Sequence, residues 1–421
     1  VRAFRNHYET TAEPAGGRTA SAARVFPDLS HEVKGRTMLF PNWDSIASPL
    51  VAANLKWAGW DVRLLEETQA HIREAMKYNT GQCIPVQIIA HECAEYVRKY
   101  RLDPQKTMLW MAQSKWACNI PMYPPFLKST LETIGGGMEQ VGLYVGTLLH
   151  TELPKAVVMR VYFAYLFAGL IRRLSCRIRP YEKRMGETDA VAQQALTLFK
   201  NAFLGESTLE SALVETVNLF EGIEHDTEPR PKVAVFGDFY VRDNDVMNQD
   251  LVRCIEQAGG EVVTTPYNEY LRIVSPAYFK KWLKARRFGD LVRFKSMLAL
   301  VDLIEKRYKR LFPDFLDDGR QPRHLTVEEE LGQFNVSLSH EGESYENLLK
   351  IMHILKTHPD VALFVQTNPA FCCPSLITEA MSAQIEKVTG VPVVSITYDG
   401  TGALQNSVVV PYIHFAAERM R

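Results

Sequence analysis

The sequence lacks the local motifs by which many metal and nucleotide sites are recognised. No two cysteines stand at C-x-x-C spacing, and no stretch fits the phosphate-binding loop G-x-x-x-x-G-K-[ST]. Paired Cys/His knuckles of the kind that hold structural zinc are missing as well. The chain therefore has no P-loop of its own, and cysteine spacing alone is weak evidence for a metal centre.

Charge of one sign and long apolar runs are also scarce. The formal net charge is -1, so the composition gives no reason to expect nucleic acid or an anionic membrane as a partner. The longest apolar-rich stretch, from Ala156 to Ile171, is interrupted by Arg160 and is too short for a membrane span. The seven cysteines are odd in number and scattered, which favours a cytoplasmic protein over a disulfide framework.

The length of 421 residues allows two or three domains. The polar N-terminal stretch, which starts without Met, predicts a linker or flexible tail and a chain that is part of a longer polypeptide. The pattern of apolar runs and breaks divides the chain into a tail at 1–34, an α/β domain at 35–150, a helical segment at 151–223, and a second α/β domain at 224–421 with a helical insertion at about 276–358.

Both α/β domains repeat one order of elements. The first begins with a strand at Thr37–Pro41, a polar loop containing Asp44, a helix that ends at Gly59 and a second strand from Asp61. The second begins with Lys232–Gly237, and its helix, from Asn248 to Ala258, also ends in Ala-Gly before a strand. We take this as a weak internal duplication. The order predicts two Rossmann-like parallel-sheet domains that face each other, with the helical segment between them.

Three separate cysteine stretches share one local pattern. The sequence Asn368-Pro-Ala-Phe-Cys-Cys-Pro-Ser375 joins a predicted strand to a predicted helix, and Cys83 and Cys118 each precede a proline in a similar setting. Proline suits the first helical turn, and a helix N-terminus favours thiolate over thiol. One free cysteine is more often a small buried hydrophobe. Three such stretches together predict that Cys83, Cys118, Cys372 and Cys373 converge on one iron–sulfur site.

The other cysteines and the strand-end acids have simpler interpretations. Cys93 and Cys176 are less favoured as ligands, and Cys254 occupies an apolar helix position typical of core. Asp44 and Asp238 follow the first strands of the two domains, where a helix cap is the better prediction.

Several of these stretches together resemble the 2-hydroxyacyl-CoA dehydratase superfamily. The resemblance spans most of the chain from about Arg36 and is closest to the branch of activase-associated domains and double-cubane cluster proteins. The stretches are Gly81-Gln-Cys-Ile-Pro85, Cys118-Asn-Ile-Pro121, Arg179-Pro-Tyr-Glu182 with Gly186-Glu-Thr-Asp189, and Asn368 to Pro374.

The resemblance implies a cluster held by one cysteine from each of three regions: Cys83, Cys118, and either Cys372 or Cys373. It implies a 4Fe–4S cubane with an open iron, or a double-cubane 8Fe–9S cluster, which needs about six thiolates. If Cys254 belongs to the core, Cys93 and Cys176 together with the four cysteines named above would supply six thiolates. The sequence shows no clear CoA-binding signature. In this it departs from the classical dehydratases, which leaves the acyl-CoA substrate open.

The resemblance also implies a partner and a reaction class. An ATP-hydrolysing activase, as a separate chain or an upstream domain, would supply low-potential electrons for a small molecule or an acyl-CoA. The sequence leaves three functions open: an iron–sulfur reductase or dehydratase-like module, a non-catalytic relay or regulatory domain of a large activase, and an α/β small-molecule-binding protein with structural cysteines. Catalytic residues and homodimer formation are also left open.

Overall fold

The computed structural model describes residues 35–112, 118–146, 154–313, 325–340 and 342–420. The predicted tail at 1–34 lies outside these residues. The described chain forms two α/β units joined by a helical segment. Within it, no helix combines the length and the apolar character needed to cross a bilayer.

The first unit contains a four-stranded parallel sheet in the order β2-β1-β3-β4. Thr37 of β1 is in register with Asp61 of β2 on one side and with Thr107 of β3 on the other. Its elements are β1 (Thr37–Phe40), α1 (Ala47–Trp57), β2 (Asp61–Leu64), α2 (Gln69–Ala75), α3 (Pro85–Lys99), β3 (Thr107–Ala112), α4 (Tyr123–Ile134) and β4 (Gly142–Gly146).

The helical segment forms the bridge between the two units. Its first helix packs on α1 of the first unit and also contacts the sheet of the second. Aromatic side chains of this segment, among them Phe167, Phe199 and Phe203, are fully buried and continue the core of the first unit. Its helices are α5 (Lys155–Ile178), α6 (Glu187–Leu204) and α7 (Leu209–Glu221).

The second unit repeats the topology of the first, with the parallel order β6-β5-β7-β8. Its elements are β5 (Lys232–Gly237), α8 (Phe239–Arg242), α9 (Leu251–Gln257), β6 (Glu261–Thr264), α10 (Tyr267–Lys284), α11 (Phe288–Lys309), α12 (Val327–Gly332), α13 (Glu343–Thr357), β7 (Val361–Pro369), α14 (Cys373–Ala380), α15 (Ser382–Thr389), β8 (Val393–Tyr398) and α16 (Val410–Met420). The predicted class, two parallel-sheet α/β domains, is confirmed.

Three element boundaries differ from the sequence prediction. The helix predicted from Asn248 begins at Leu251, because Gln249 and Asp250 both adopt left-handed backbone conformations with φ of 56°. The helix placed at about Pro276 begins at Tyr267, and Pro276 lies inside α10. Strand β7 continues through Pro369, which pairs with Tyr398, so the first residues of the Cys372 stretch belong to the sheet.

Candidate functional site

The site lies where the connections of each sheet diverge. In each sheet the chain leaves the first strand, β1 or β5, for a neighbour on one side and later returns to a neighbour on its other side. Open α/β sheets usually bind their ligands in the crevice at the carboxyl ends of such strands. Asp44 follows β1, and Asp238 follows β5. Cys118 lies beyond β3, and Cys372 follows β7. The same topology in both units therefore brings two acids and two cysteines to facing edges.

Cys83 lies in the turn before α3, at the contact between the two units. Its thiol is buried and accepts a hydrogen bond from the Tyr123 hydroxyl at 3.2 Å. The next residue, Ile84, donates its backbone N–H to the carbonyl of Ala370 at 3.4 Å. This backbone contact joins the Cys83 turn directly to the loop that contains Cys372.

The adjacent cysteines Cys372 and Cys373 have opposite surroundings. Phe371 has a left-handed φ of 64°, and this sharp turn precedes Cys372, the N-cap of α14. Cys372 is 2% exposed, its Sγ lies 3.8 Å from Oδ2 of Asp238, and its thiol is within hydrogen-bonding reach of Cys83. Cys373 is exposed, and its Sγ lies 3.6 Å from Nδ2 of Asn119.

Cys118 completes the group. It is partly buried and interacts electrostatically with Cys83, Asp238 and Glu343. The adjacent Asn119 donates to the carbonyl of Phe371 at 3.2 Å. The structure therefore brings Cys83, Cys118, Cys372 and Cys373 into one neighbourhood. The five residues before Cys118 lie outside the described residues.

Two thiols of this group, those of Cys118 and Cys372, have a raised pKa. Burial raises the pKa of Cys118 to about 12. The hydrogen bond to Cys83, together with burial, raises the pKa of Cys372 well above its ordinary value. The partial positive charge of the α14 N-terminus does not outweigh these effects. A metal centre that binds here must therefore displace thiol protons.

Two carboxyl groups and one amine lie beside the thiols. Asp238 caps α8 by accepting the N–H groups of Tyr240 and Val241 at 2.9 and 3.1 Å, and burial raises its pKa. Burial also raises the pKa of Glu343, on the first turn of α13, to about 8. The fully buried Lys350 lies 3.9 Å from Glu343 and 4.3 Å from the centre of the Phe239 ring. The site therefore combines thiols with two carboxyl groups, Asp238 and Glu343, in which burial favours the protonated form.

A glycine permits the close contact behind Asp238. Gly237 has φ of 126°, and a Cβ at this position would lie 2.3 Å from the carbonyl oxygen of Thr367. The following N–H, of Asp238, donates to that same oxygen at 3.0 Å. Only glycine allows β5 and β7 to approach in this way, so Gly237 fixes Asp238 relative to the Cys372 loop.

The three remaining cysteines lie elsewhere. Cys93 is buried in α3 beside Glu92 and Lys128, and Cys176 is buried in α5 beside Arg172 and Arg179. Burial raises the pKa of each of these two thiols to about 12. Cys254, on α9, contacts the carbonyl of Asn406 at 3.6 Å. Cys93 shares the buried apolar cluster of Cys83 and Cys372 but lies about two turns into α3, and Cys176 belongs to a different cluster, so no described contact joins either thiol to the group.

The aspartates that follow β1 and β5 take part in the contact between the units. Asp44 accepts the N–H groups of Ile46 and Ala47, both at 2.9 Å, which agrees with the predicted helix cap. It also accepts a hydrogen bond from Arg172 of α5 at 2.9 Å, and Arg172 lies 3.7 Å from Asp243 of the second unit. Arg172 thus connects both units to the helical segment.

The stretch Arg179–Glu182 has a structural role in the same contact. Arg179 forms a two-pronged pair with Glu256 of α9 at 2.7 and 2.8 Å, and Tyr181 donates to Glu261 at 2.6 Å. Glu182 accepts the N–H groups of Gly186 and Thr188 at the start of α6, both at 2.7 Å. A cleft of about 330 Å³, lined in part by Arg179, opens beside these contacts.

Sequence reasoning missed several residues of the site. Tyr123, Glu343 and Lys350 belong to helices whose patterns give no sign that these side chains face a cysteine. Tyr123 is five residues after Cys118, and that proximity is the one available signal. Glu343 and Lys350 come from α13, whose approach to α14 is set by tertiary packing.

The donor set can be compared with the needs of a metal. Among the described residues, no three His, Cys, Asp or Glu side chains are grouped so that they could hold one metal ion. In a cubane each thiolate binds a different iron, so its ligands stand further apart than those of a single ion. Three thiols from three loops supply donors of the kind a cubane takes, but Cys83 and Cys372 are within hydrogen-bonding reach of each other and would have to separate to bind different irons.

Comparisons with known proteins identify no family for this chain. A scan against protein-family models finds none that matches the chain, and a search of the curated proteins finds no match.

Proposed function

We propose that the chain is an iron–sulfur protein that holds one 4Fe–4S cubane on Cys83, Cys118 and Cys372. In this proposal it receives low-potential electrons from an ATP-hydrolysing activase and passes them to a small molecule or an acyl-CoA. The observation that supports it most is the meeting of three thiols from loops that are far apart in sequence. The resemblance of those loops to the 2-hydroxyacyl-CoA dehydratase superfamily supports the activase and the substrate class.

A cubane held there would supply one-electron transfer at low potential and an iron without a protein ligand. The protein residues would prepare the pocket for it. Tyr123 directs a hydrogen bond at Cys83, and hydrogen bonds to a ligating sulfur raise the potential of a cluster. Burial of Cys83 and Cys372 excludes water. Burial raises the pKa of both Glu343 and Asp238, the two carboxyl groups beside the thiols.

A single cubane is preferred over a double one because of where the cysteines lie. Cys93 and Cys176 are in separate surroundings, which leaves four thiols near the pocket. Of the adjacent pair, Cys372 is preferred as the ligand because it is buried and contacts Cys83. Cys373 would form the exposed rim of the site. All seven cysteines are free, which supports a reducing compartment such as the cytoplasm.

Anaerobic reconstitution tests the cluster itself. The purified chain is incubated with iron, sulfide and a thiol reductant, desalted, and assayed for iron and acid-labile sulfide. We expect about four irons per chain, and about eight would instead support the double cubane. A colourless protein without iron after reconstitution would contradict the proposal and favour the small-molecule-binding alternative.

Single cysteine variants test the ligand set. Cys83→Ser, Cys118→Ser and Cys372→Ser should each lose most of the iron, whereas Cys373→Ser should retain it. Cys93→Ser and Cys254→Ser serve as matched controls, because these thiols lie outside the pocket. Equal iron in Cys372→Ser and the wild type would remove Cys372 from the ligand set.

The electron-transfer role requires its own assay. The reconstituted chain is mixed with an activase of the dehydratase type, ATP and a reductant, and cluster reduction is followed by electron paramagnetic resonance. Reduction that depends on ATP supports the proposal. Reduction of the cluster without turnover of any 2-hydroxyacyl-CoA or small-molecule acceptor tested would support a relay domain instead.

A further inference from the structure

A pair of carboxyl groups lies at the contact between the two units, away from the thiols. Glu67 follows β2, and Glu92 is on α3. The two carboxyl groups are within hydrogen-bonding reach of each other. Glu92 is 2% exposed, and no N–H or O–H donor among the described residues reaches either of its oxygens. Since two ionised carboxylates cannot form a hydrogen bond, Glu92 must be held by a proton that it shares with Glu67.

Glu67 is held from the other side by the second unit. The Tyr240 hydroxyl donates to one oxygen of Glu67, and Asn244 Nδ2 donates to the other at 2.9 Å. Both donors belong to the segment that begins with Asp238 of the candidate site. Glu67 thus accepts two hydrogen bonds suited to a carboxylate, and Glu92 is the partner that carries the proton.

Among the described residues, no cation pairs with either carboxyl group. The titratable groups that interact with the pair are Tyr240, from the second unit, and the Cys93 thiol, beside Glu92 on its own helix. Burial raises the pKa of Glu67 to about 7, and burial together with Glu67 raises the pKa of Glu92 well above its ordinary value.

Two phenols connect the pair to the cysteine pocket. Tyr240 packs against the buried cluster that contains Tyr123, Cys83 and Cys372. The two phenol groups interact electrostatically, and Tyr123 donates to the Cys83 thiol. Negative charge added at the cysteines would therefore interact with the two carboxyl groups across buried protein of low polarity, where charge interactions are strong.

We propose that Glu67 and Glu92, hereafter the acid pair, take up one proton from solvent when one electron is added at the cysteine pocket. A low-potential one-electron donor supplies the electron, and the carboxylate of Glu67 becomes a carboxylic acid while Glu92 stays protonated. One electron and one proton then enter together, and the buried region gains no net charge. The electron step rests on the proposed function, whereas the shared proton rests on the geometry of the acid pair alone.

The shared proton is tested on the metal-free protein. Infrared difference spectra recorded during a pH titration should show a protonated carboxyl band at neutral pH, and this band should shift in D2O. Glu92→Gln should remove the component of this band that belongs to the acid pair and leave the component of Glu343, whose pKa burial raises to about 8. Glu95→Gln is the matched control, because Glu95 is on the same helix but pairs with Arg98 at the surface. A carboxyl band that is unchanged in Glu92→Gln would overturn the shared proton.

The coupling to the electron is tested on the reconstituted protein. The midpoint potential is measured on either side of neutral pH. Because proton uptake favours reduction at low pH, the wild-type potential should fall as pH rises through this range. Glu67→Gln should reduce that dependence to the part that Glu343 contributes, and Glu95→Gln should retain it in full. A wild-type potential that does not depend on pH, or a Glu67→Gln protein with the wild-type dependence, would overturn the coupling.

A milder variant separates the acid pair from general damage to the fold. Tyr240→Phe removes one donor to Glu67 but keeps both carboxyl groups, so it should raise the pKa of Glu67. The pH-dependent range of the potential should then move to higher pH without disappearing, and a range that stays in place would count against the coupling. A chain that cannot be loaded with iron overturns the proposed function and the coupling together, while the infrared result still decides the shared proton.

Discussion

The hydroxyl of Tyr123 donates a hydrogen bond to Sγ of Cys83 across 3.2 Å. Both residues are buried, and they come from different helical turns of the first unit. The same sulfur is within hydrogen-bonding reach of Cys372, from the second unit. Cys83 therefore links the two units at the candidate site.

Removing the Tyr123 hydroxyl should weaken this contact without removing the ring. Tyr123→Phe in the metal-free protein should lower the free energy of unfolding by about 1 kcal/mol, the usual net value of one hydrogen bond. In the reconstituted protein the midpoint potential should fall, because a donor to sulfur stabilises the reduced state. Urea denaturation and redox titration measure the two effects. Tyr412→Phe, at an exposed tyrosine, is the control, and equal potentials in Tyr123→Phe and the wild type would contradict the assignment.

Arg172 should be essential to the contact between the units. Arg172→Met leaves Asp44 and Asp243 buried without that partner, and a broken buried ion pair costs about 3–5 kcal/mol. Urea denaturation should show this loss, and the double variant Arg172→Met with Asp44→Asn should recover part of it. Arg184→Met, at an exposed arginine, should change stability little. A loss in Arg172→Met no larger than in Arg184→Met would show that Arg172 does not hold the units together.

Glu343 should make the stability of the metal-free protein depend on pH. Burial raises the pKa of Glu343 in the folded state from 4.5 to about 8, so the folded state favours the protonated acid. Its stabilising contribution is complete below pH 4.5, decreases as pH rises, and is lost as pH passes through about 8. Glu343→Gln should therefore gain stability relative to the wild type as pH rises. The free energy of unfolding across this range is the measurement, and Glu206→Gln, at an exposed glutamate, is the control. Parallel profiles for Glu343→Gln and the wild type would refute it.

The left-handed backbone at Phe371 should cost stability that glycine can restore. Phe371→Gly and Phe371→Ala both remove the exposed ring, but only glycine adopts φ of 64° without strain. The glycine variant should be more stable than the alanine variant by about 1 kcal/mol. Thermal or urea unfolding of the two proteins decides this, and an alanine variant as stable as the glycine one would argue against strain at this residue.

The sequence predicted the architecture well because the relevant signals are local. Strand Lys232–Gly237 has the predicted bounds, since it is an apolar run between clear breaks. The start of α14 at Cys373 also follows from a local signal, proline in the first turn. The start of α9 could not be predicted, because the side chain of Asn406 binds the carbonyls of Asn248 and Gln249 from 157 or more residues away.

The sequence by itself determined which four cysteines are the candidate ligands. It also determined that the chain forms two similar parallel sheets, with the candidate site at the carboxyl ends of their strands. Tertiary structure decided how the thiols differ: Cys372 is buried beside Cys83, Cys373 is exposed beside Asn119, and Cys93 and Cys176 lie apart. It also decided that Glu343 faces the thiols and that Glu67 meets Glu92. These pairings depend on how helices from different units pack, and local sequence patterns do not record the burial and hydrogen bonding that result.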